Sequence, residues 1–97
     1  MATYVIVNIE VTDPLRYQEY IRQVKPIVEA YGGRYLVRGG QTEPLEGSWI
    51  PHRVVILEFS DSARARSWWN SLEYASTKKI RQESAKTDMI MVEGISG

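Results

Sequence analysis

An α+β sandwich, a single antiparallel sheet with its helices on one face, is the architecture this sequence predicts. Three observations predict it. Period-two runs rich in β-branched residues alternate with stretches of period three to four, in the order β-α-β-β-α-β. The chain has 97 residues, the size of a single domain spanning 1–97. Apolar residues make up 43% and charged residues 25%, which supports a core and opposes disorder.

Tyr4 to Val11 reads as the first strand, because Val5, Val7, Ile9 and Val11 alternate with Tyr4, Ile6, Asn8 and Glu10. Asp13 then offers a cap to free helix N–H groups, and Pro14 suits the first helical position. Tyr17, Tyr20, Ile21, Val24, Ile27, Val28 and Tyr31 follow at helical steps, predicting a helix from about Pro14 to Tyr31. Pro26 inside it predicts a kink near Arg22, and Gly32-Gly33 ends it. Arg34 to Arg38 is a short second strand and His52 to Phe59 a third, joined by a long polar connection from Gly39 to Pro51. Ser60 or Asp61 caps a helical region carrying Ala65, Trp68 and Trp69. Asn70-Ser71 interrupts it, and Ser71 caps a further segment to about Lys86. Asp88 to Glu93 is the last strand.

This order is met by the ferredoxin-like sandwich, with strand 1 between strands 3 and 4, and strand 3 between strands 1 and 2. Parity assigns Val5, Val7, Ile9, Val11, Val55, Leu57, Phe59, Ile90 and Val92 to the helix-facing side. The other face then holds Ile6, Leu36, Val54, Ile56 and Met91 at its centre, with Arg34 and Arg38 beside Leu36. Leaving so contiguous an apolar surface in water is costly, so a second copy is expected to cover it, sheet against sheet. The alternative is an exposed sheet with scattered apolar residues.

Composition removes several functions. Twelve basic and twelve acidic residues cancel, so neither nucleic acid nor an anionic membrane is an expected partner. There is no cysteine for disulfides, zinc thiolates or thiol catalysis, and His52 is the only histidine. No metal and no cofactor is expected. No apolar run is long enough to span a bilayer and the first residues lack signal-peptide features, so a cytoplasmic location is expected.

The ordered set Thr12-Asp13-Pro14, Tyr17, Tyr20, Tyr31-Gly32-Gly33, Arg38-Gly39-Gly40, Leu45-Glu46-Gly47, Arg53 before the third strand, Trp68-Trp69, Tyr74 and Arg81 resembles a bacterial family of uncharacterised proteins, domain of unknown function 1330. Trp68 departs from the single aromatic pair expected there, with Trp69 taking its second place. The resemblance implies a dimeric α+β barrel. It also implies a superfamily that includes cofactor-free monooxygenases, muconolactone-isomerase-like enzymes and haem-dependent relatives. It brings no accepted activity and no catalytic residues.

Two constellations could carry chemistry. The end of strand 1 meets the start of strand 3, which puts Glu10 near His52 or Arg53, and the end of strand 2 brings Arg38 to the same edge. A carboxylate orients a histidine as a general base, and an arginine can hold a carboxylate or enolate oxygen. Glu10, His52 and Arg38 are therefore the candidate catalytic residues; the alternative is a polar rim at an interface. Between helices and sheet, Tyr17, Tyr20, Tyr31, Trp68, Trp69 and Tyr74 can supply aromatic walls, against the alternative that these aromatics are plain core; Tyr17, Trp69 and Tyr74, with Arg53 from the rim, are the candidate substrate-binding residues. The long connection is read as an arm that packs Trp49 on a partner protomer, the alternative being a lid. Lys78, Lys79, Arg81 and Lys86 read as a solvated basic side of the last helix. The expected function is a cofactor-independent small-molecule enzyme, monooxygenase- or isomerase-like, or a small-molecule binder. The alternative is a non-catalytic homodimeric structural or regulatory module.

Overall fold

The computed structural model describes residues 1–95. Strand β1 spans Thr3–Val11, helix α1 Pro14–Ala30, β2 Arg34–Arg38, β3 Arg53–Phe59, α2 Ser62–Trp69, α3 Leu72–Ser84 and β4 Ala85–Glu93. All ladders are antiparallel, in the order β2-β3-β1-β4, which is the arrangement the pattern predicts.

Local chemistry sets the boundaries. Asp13 Oδ1 accepts from the Arg16 N–H, and Pro14 opens α1. The helix runs on through Pro26 to Ala30. Gly32, at φ +81, and Gly33 close it by donating to the carbonyls of Glu29 and Val28. Asp61 caps α2, and the Ser71 hydroxyl both accepts from the Tyr74 N–H and donates to the Trp68 carbonyl, holding α2 and α3 at their junction.

The core lies between sheet and helices. Val5, Val7 and Ile9 of β1 and Val55, Leu57 and Phe59 of β3 are buried there, as alternation requires. They meet Tyr17, Tyr20, Val24 and Val28 of α1, Trp68 of α2, and Tyr74 and Ile80 of α3. A Cβ on Gly33 would lie 2.7 Å from Phe59 and Val28 side-chain carbons. Gly33→Ala is therefore expected to destabilise by about 1–3 kcal/mol through overpacking, read as a lower urea midpoint; an unchanged midpoint would contradict this close approach.

Two assignments of face change. The last strand begins at Ala85, not Asp88, because Ala85 pairs with Val11 and α3 passes straight into it. That register sets Met89 opposite Val7 and Met91 opposite Val5, on the helix side. Ile90 and Val92, expected inside, lie on the open face, 61% and 43% exposed. Partners in an antiparallel ladder share a face, so pairing with β1 overrides the greater apolarity of Ile and Val. In β2 a register irregularity between Tyr35 and Val37 breaks the alternation at Leu36. Val37 then pairs with Ile56 on the open face, and Arg38 pairs with Val55 on the helix side, not beside Leu36. The open face keeps an apolar centre of Ile6, Val54, Ile56, Ile90 and Val92.

Candidate functional site

The displacement of Arg38 joins it to the aromatic interior. Its guanidinium sits 4.5 Å from the Tyr35 ring centroid and donates to the Ile21 carbonyl at 3.2 Å. Arg53 enters the same chamber from β3, beside Tyr17 of α1. Gly39, at φ +74, is what lets it lie there, since a Cβ at that position would collide with the Arg53 guanidinium. From α3, Tyr74 shares a hydroxyl–hydroxyl bond of 2.9 Å with Tyr20 and stacks against Trp68 at 4.4 Å. Arg81 lies next to this pair, 3% exposed, with its guanidinium 5.9 Å from the Tyr20 ring centroid.

Arg81 corrects the reading of α3 as a solvated basic face. The buried stripe of that helix is Tyr74, Thr77, Arg81 and Ser84, at steps of three and four, with Ile80 beside it. The spacing was legible; the charge disguised it. Lys78, by contrast, turns outward over Trp69, 4.0 Å from its ring centroid, and donates to the Trp69 carbonyl at 2.8 Å.

The chamber is strongly desolvated. Burial pushes the Tyr17 hydroxyl up against the opposing pull of Arg53, and drives Tyr20 well up, with Tyr74 adding to it. Tyr35 is pushed up to about 12, again by burial. An unfolded tyrosine releases its proton first, near 10, so the folded state binds more protons above that pH. Stability linked to Tyr35 is thus fully present below pH 10 and lost as pH rises to about 12, and Tyr17 and Tyr20 act in the same direction. Urea midpoints measured from pH 8 upward check this; a rising midpoint across the alkaline interval would contradict it.

Space is distributed unevenly. The chamber itself holds a cavity of about 20 Å³, room for a single water. Between α3 and β4 lies an open cleft of about 370 Å³, walled by Trp69, Arg81, Thr87 and Met89. Met89 borders both.

Of the candidate catalytic residues, Glu10 and His52 come together on the other side of the sheet. Glu10 Oε1 lies 3.7 Å from His52 Nε2, with both side chains about half exposed, and the His52 backbone N–H donates to Asn8 Oδ1 at 2.9 Å. Arg38 does not join them, because the irregularity in β2 turns it to the helix side. Of the candidate substrate-binding residues, Tyr17 and Arg53 wall the chamber, Trp69 walls the cleft, and Tyr74 lies fully buried between Trp68 and Tyr20. Trp49 of the long connection stands 66% exposed over the open face of its own sheet, beside Ile6, Val54 and Ile90. Among the described residues no cluster of His, Asp and Glu could hold a metal ion, and no helix is long and apolar enough to cross a membrane.

A family model described as a domain of unknown function (DUF1330) matches residues 2–95. No curated protein matches the chain. Among solved structures, a protein of unknown function from Rhodopseudomonas palustris is similar at 18% identity and a TM-score of 0.79, covering 99% of this chain and 84% of that one. A dimeric ferredoxin-like protein of unknown function from Jannaschia sp. CCS1 is similar at 14% identity and a TM-score of 0.72, covering 97% and 100%. A cofactor-independent oxygenase from Streptomyces nogalater is similar at 6% identity and a TM-score of 0.68, covering 99% and 95%. At these identities the likeness is one of fold.

Proposed function

The chain belongs to the DUF1330 family, and from that premise we propose that it works as a homodimer that binds a small organic molecule beside the helix–sheet interior. The observation that carries this reading is the α3–β4 cleft of about 370 Å³, which abuts the buried tyrosine–arginine chamber. Its size suits a small organic molecule, and its largely polar walls, with Arg81, Gln82 and Thr87, also offer the surfaces of Trp69 and Met89. Dimeric relatives of the same fold support the assembly, as does the apolar open face. Any turnover is proposed to be cofactor-independent, by likeness of fold to the Streptomyces oxygenase. His52 as base and Glu10 as its orienting carboxylate lie across the sheet from that cleft, so turnover by them is proposed for a separate site, at the rim of the sheet–sheet interface. Unchanged turnover in His52→Ala, once a substrate is found, would remove that role.

The second reading is a non-catalytic homodimeric module. A specific observation favours it: the chamber that holds Arg38 is packed down to the volume of one water. Native mass spectrometry of protein purified without denaturant separates the two. A dimer carrying a reproducible small-molecule mass is expected; a bare dimer would favour the module, and a monomer at micromolar concentration would overturn the assembly.

A further inference from the structure

Four buried side-chain nitrogen or oxygen atoms have no hydrogen-bond partner among the described residues: Arg53 Nε, Trp68 Nε1, Arg81 Nε and Thr87 Oγ1. All four belong to walls of the chamber or of the α3–β4 cleft. Buried polar atoms in folded proteins are otherwise almost always satisfied. Three of these are N–H groups, which only donate, and the fourth is a hydroxyl that can donate. What the region lacks is an acceptor.

Charge makes the same point. Arg38, Arg53 and Arg81 gather around Tyr17, and none of them has a carboxylate within ion-pairing distance among the described residues. Elsewhere Arg16 pairs with Glu19 and Glu83, and Arg34 with Glu58. Arg81 is buried with only the Tyr20 and Tyr74 hydroxyl groups facing its charge. A buried guanidinium without a counter-charge is costly, and a two-oxygen anion matches its fork.

We propose that the α3–β4 cleft takes a small organic carboxylate, its anionic head held by the Arg81 guanidinium and the Thr87 hydroxyl, its apolar body against Trp69 and Met89. This rests on the reading of that cleft as a small-molecule site and adds the ligand's charge to it. Arginine specifies the carboxylate, and the indole and thioether walls specify an aryl or similarly apolar remainder.

The test uses benzoate and phenylacetate against their neutral primary amides, followed by tryptophan fluorescence and by the ligand-induced rise in melting temperature. In the unmodified protein each carboxylate is expected to bind at least about tenfold more tightly than its amide. Arg81→Met should abolish that ratio. Thr87→Val should reduce carboxylate affinity several-fold and keeps the test open if Arg81→Met does not fold. Equal binding of acid and amide would overturn the charge assignment while leaving the small-molecule site standing. Binding of neither would overturn both. An Arg81→Met protein that melts lower but keeps the full acid preference would show Arg81 to be a structural cation only.

Discussion

Ile90→Asp is expected to convert the proposed homodimer to monomers, raising its dissociation constant at least about 100-fold, with the protomer still folded. Ile90 is 61% exposed in the protomer and pairs with Ile6 at the centre of the open face. Its replacement therefore removes little from the protomer's own core. In a sheet-against-sheet dimer with two-fold symmetry the same change enters twice, so two carboxylates would be taken out of water without partners. Each costs several kcal/mol, more than the roughly 2.7 kcal/mol that a 100-fold loss requires. Leu72→Asp is the control, because Leu72 is 90% exposed at the start of α3, away from the sheet. Light scattering behind a sizing column reads both. If Ile90→Asp stays dimeric, this face is not the interface, and the apolar surface of Ile6, Val54, Ile56 and Val92 needs another explanation.

Trp68→Ala is expected to cost about 3–5 kcal/mol of folding stability, a large part of what a domain this small possesses. Trp68 is 2% exposed and lies between the rings of Phe59 and Tyr74, with centroid distances of 5.6 Å and 4.4 Å. Its indole N–H has no hydrogen-bond partner among the described residues, so the loss is one of packing and burial. Trp68→Phe should accordingly recover part of the loss, since it restores a ring without leaving an acceptor unpaired. Urea unfolding followed by circular dichroism measures both. A cost below about 1 kcal/mol for the alanine variant would mean that the α2 end of the core collapses around the gap.

The single-ring difference at Trp68 also shows how far residue patterns reach. Its neighbours Ala65 and Trp69 made a helical stretch legible, and the Asn70-Ser71 break was readable because Ser71 is a helix cap wherever its hydroxyl meets a free N–H. Asp13-Pro14, Gly32-Gly33 and the alternation of Val5, Val7 and Ile9 were legible for the same reason: each acts within a few residues of itself. The open apolar face was legible too, although its membership shifted by one strand.

The candidate site was less legible. Glu10 and His52 come together because strand pairing follows from the order of elements, which the sequence displays. Arg38 was assigned to them by continuing the alternation of β2, and a single irregularity at Leu36 carried it through the sheet to Arg53 and Tyr17. Met91 was likewise placed on the open face, and the pairing of Ala85 with Val11 puts both it and Met89, which borders the cleft, on the helix side. Arg81 was given to solvent on its charge, although its spacing from Tyr74 put it on the buried stripe.

Caps, turns, alternation and helical stripes are short-range matters of backbone hydrogen bonding and side-chain period, so the sequence by itself determined the elements, their order and the existence of two unlike sheet faces. Register and bulge position depend on which distant carbonyl an N–H finally meets. A shift of one residue there moves a side chain from one face to the other. Tertiary pairing alone therefore put Arg38, Arg53 and Arg81 together on the tyrosine side of the sheet, and the histidine on the opposite one.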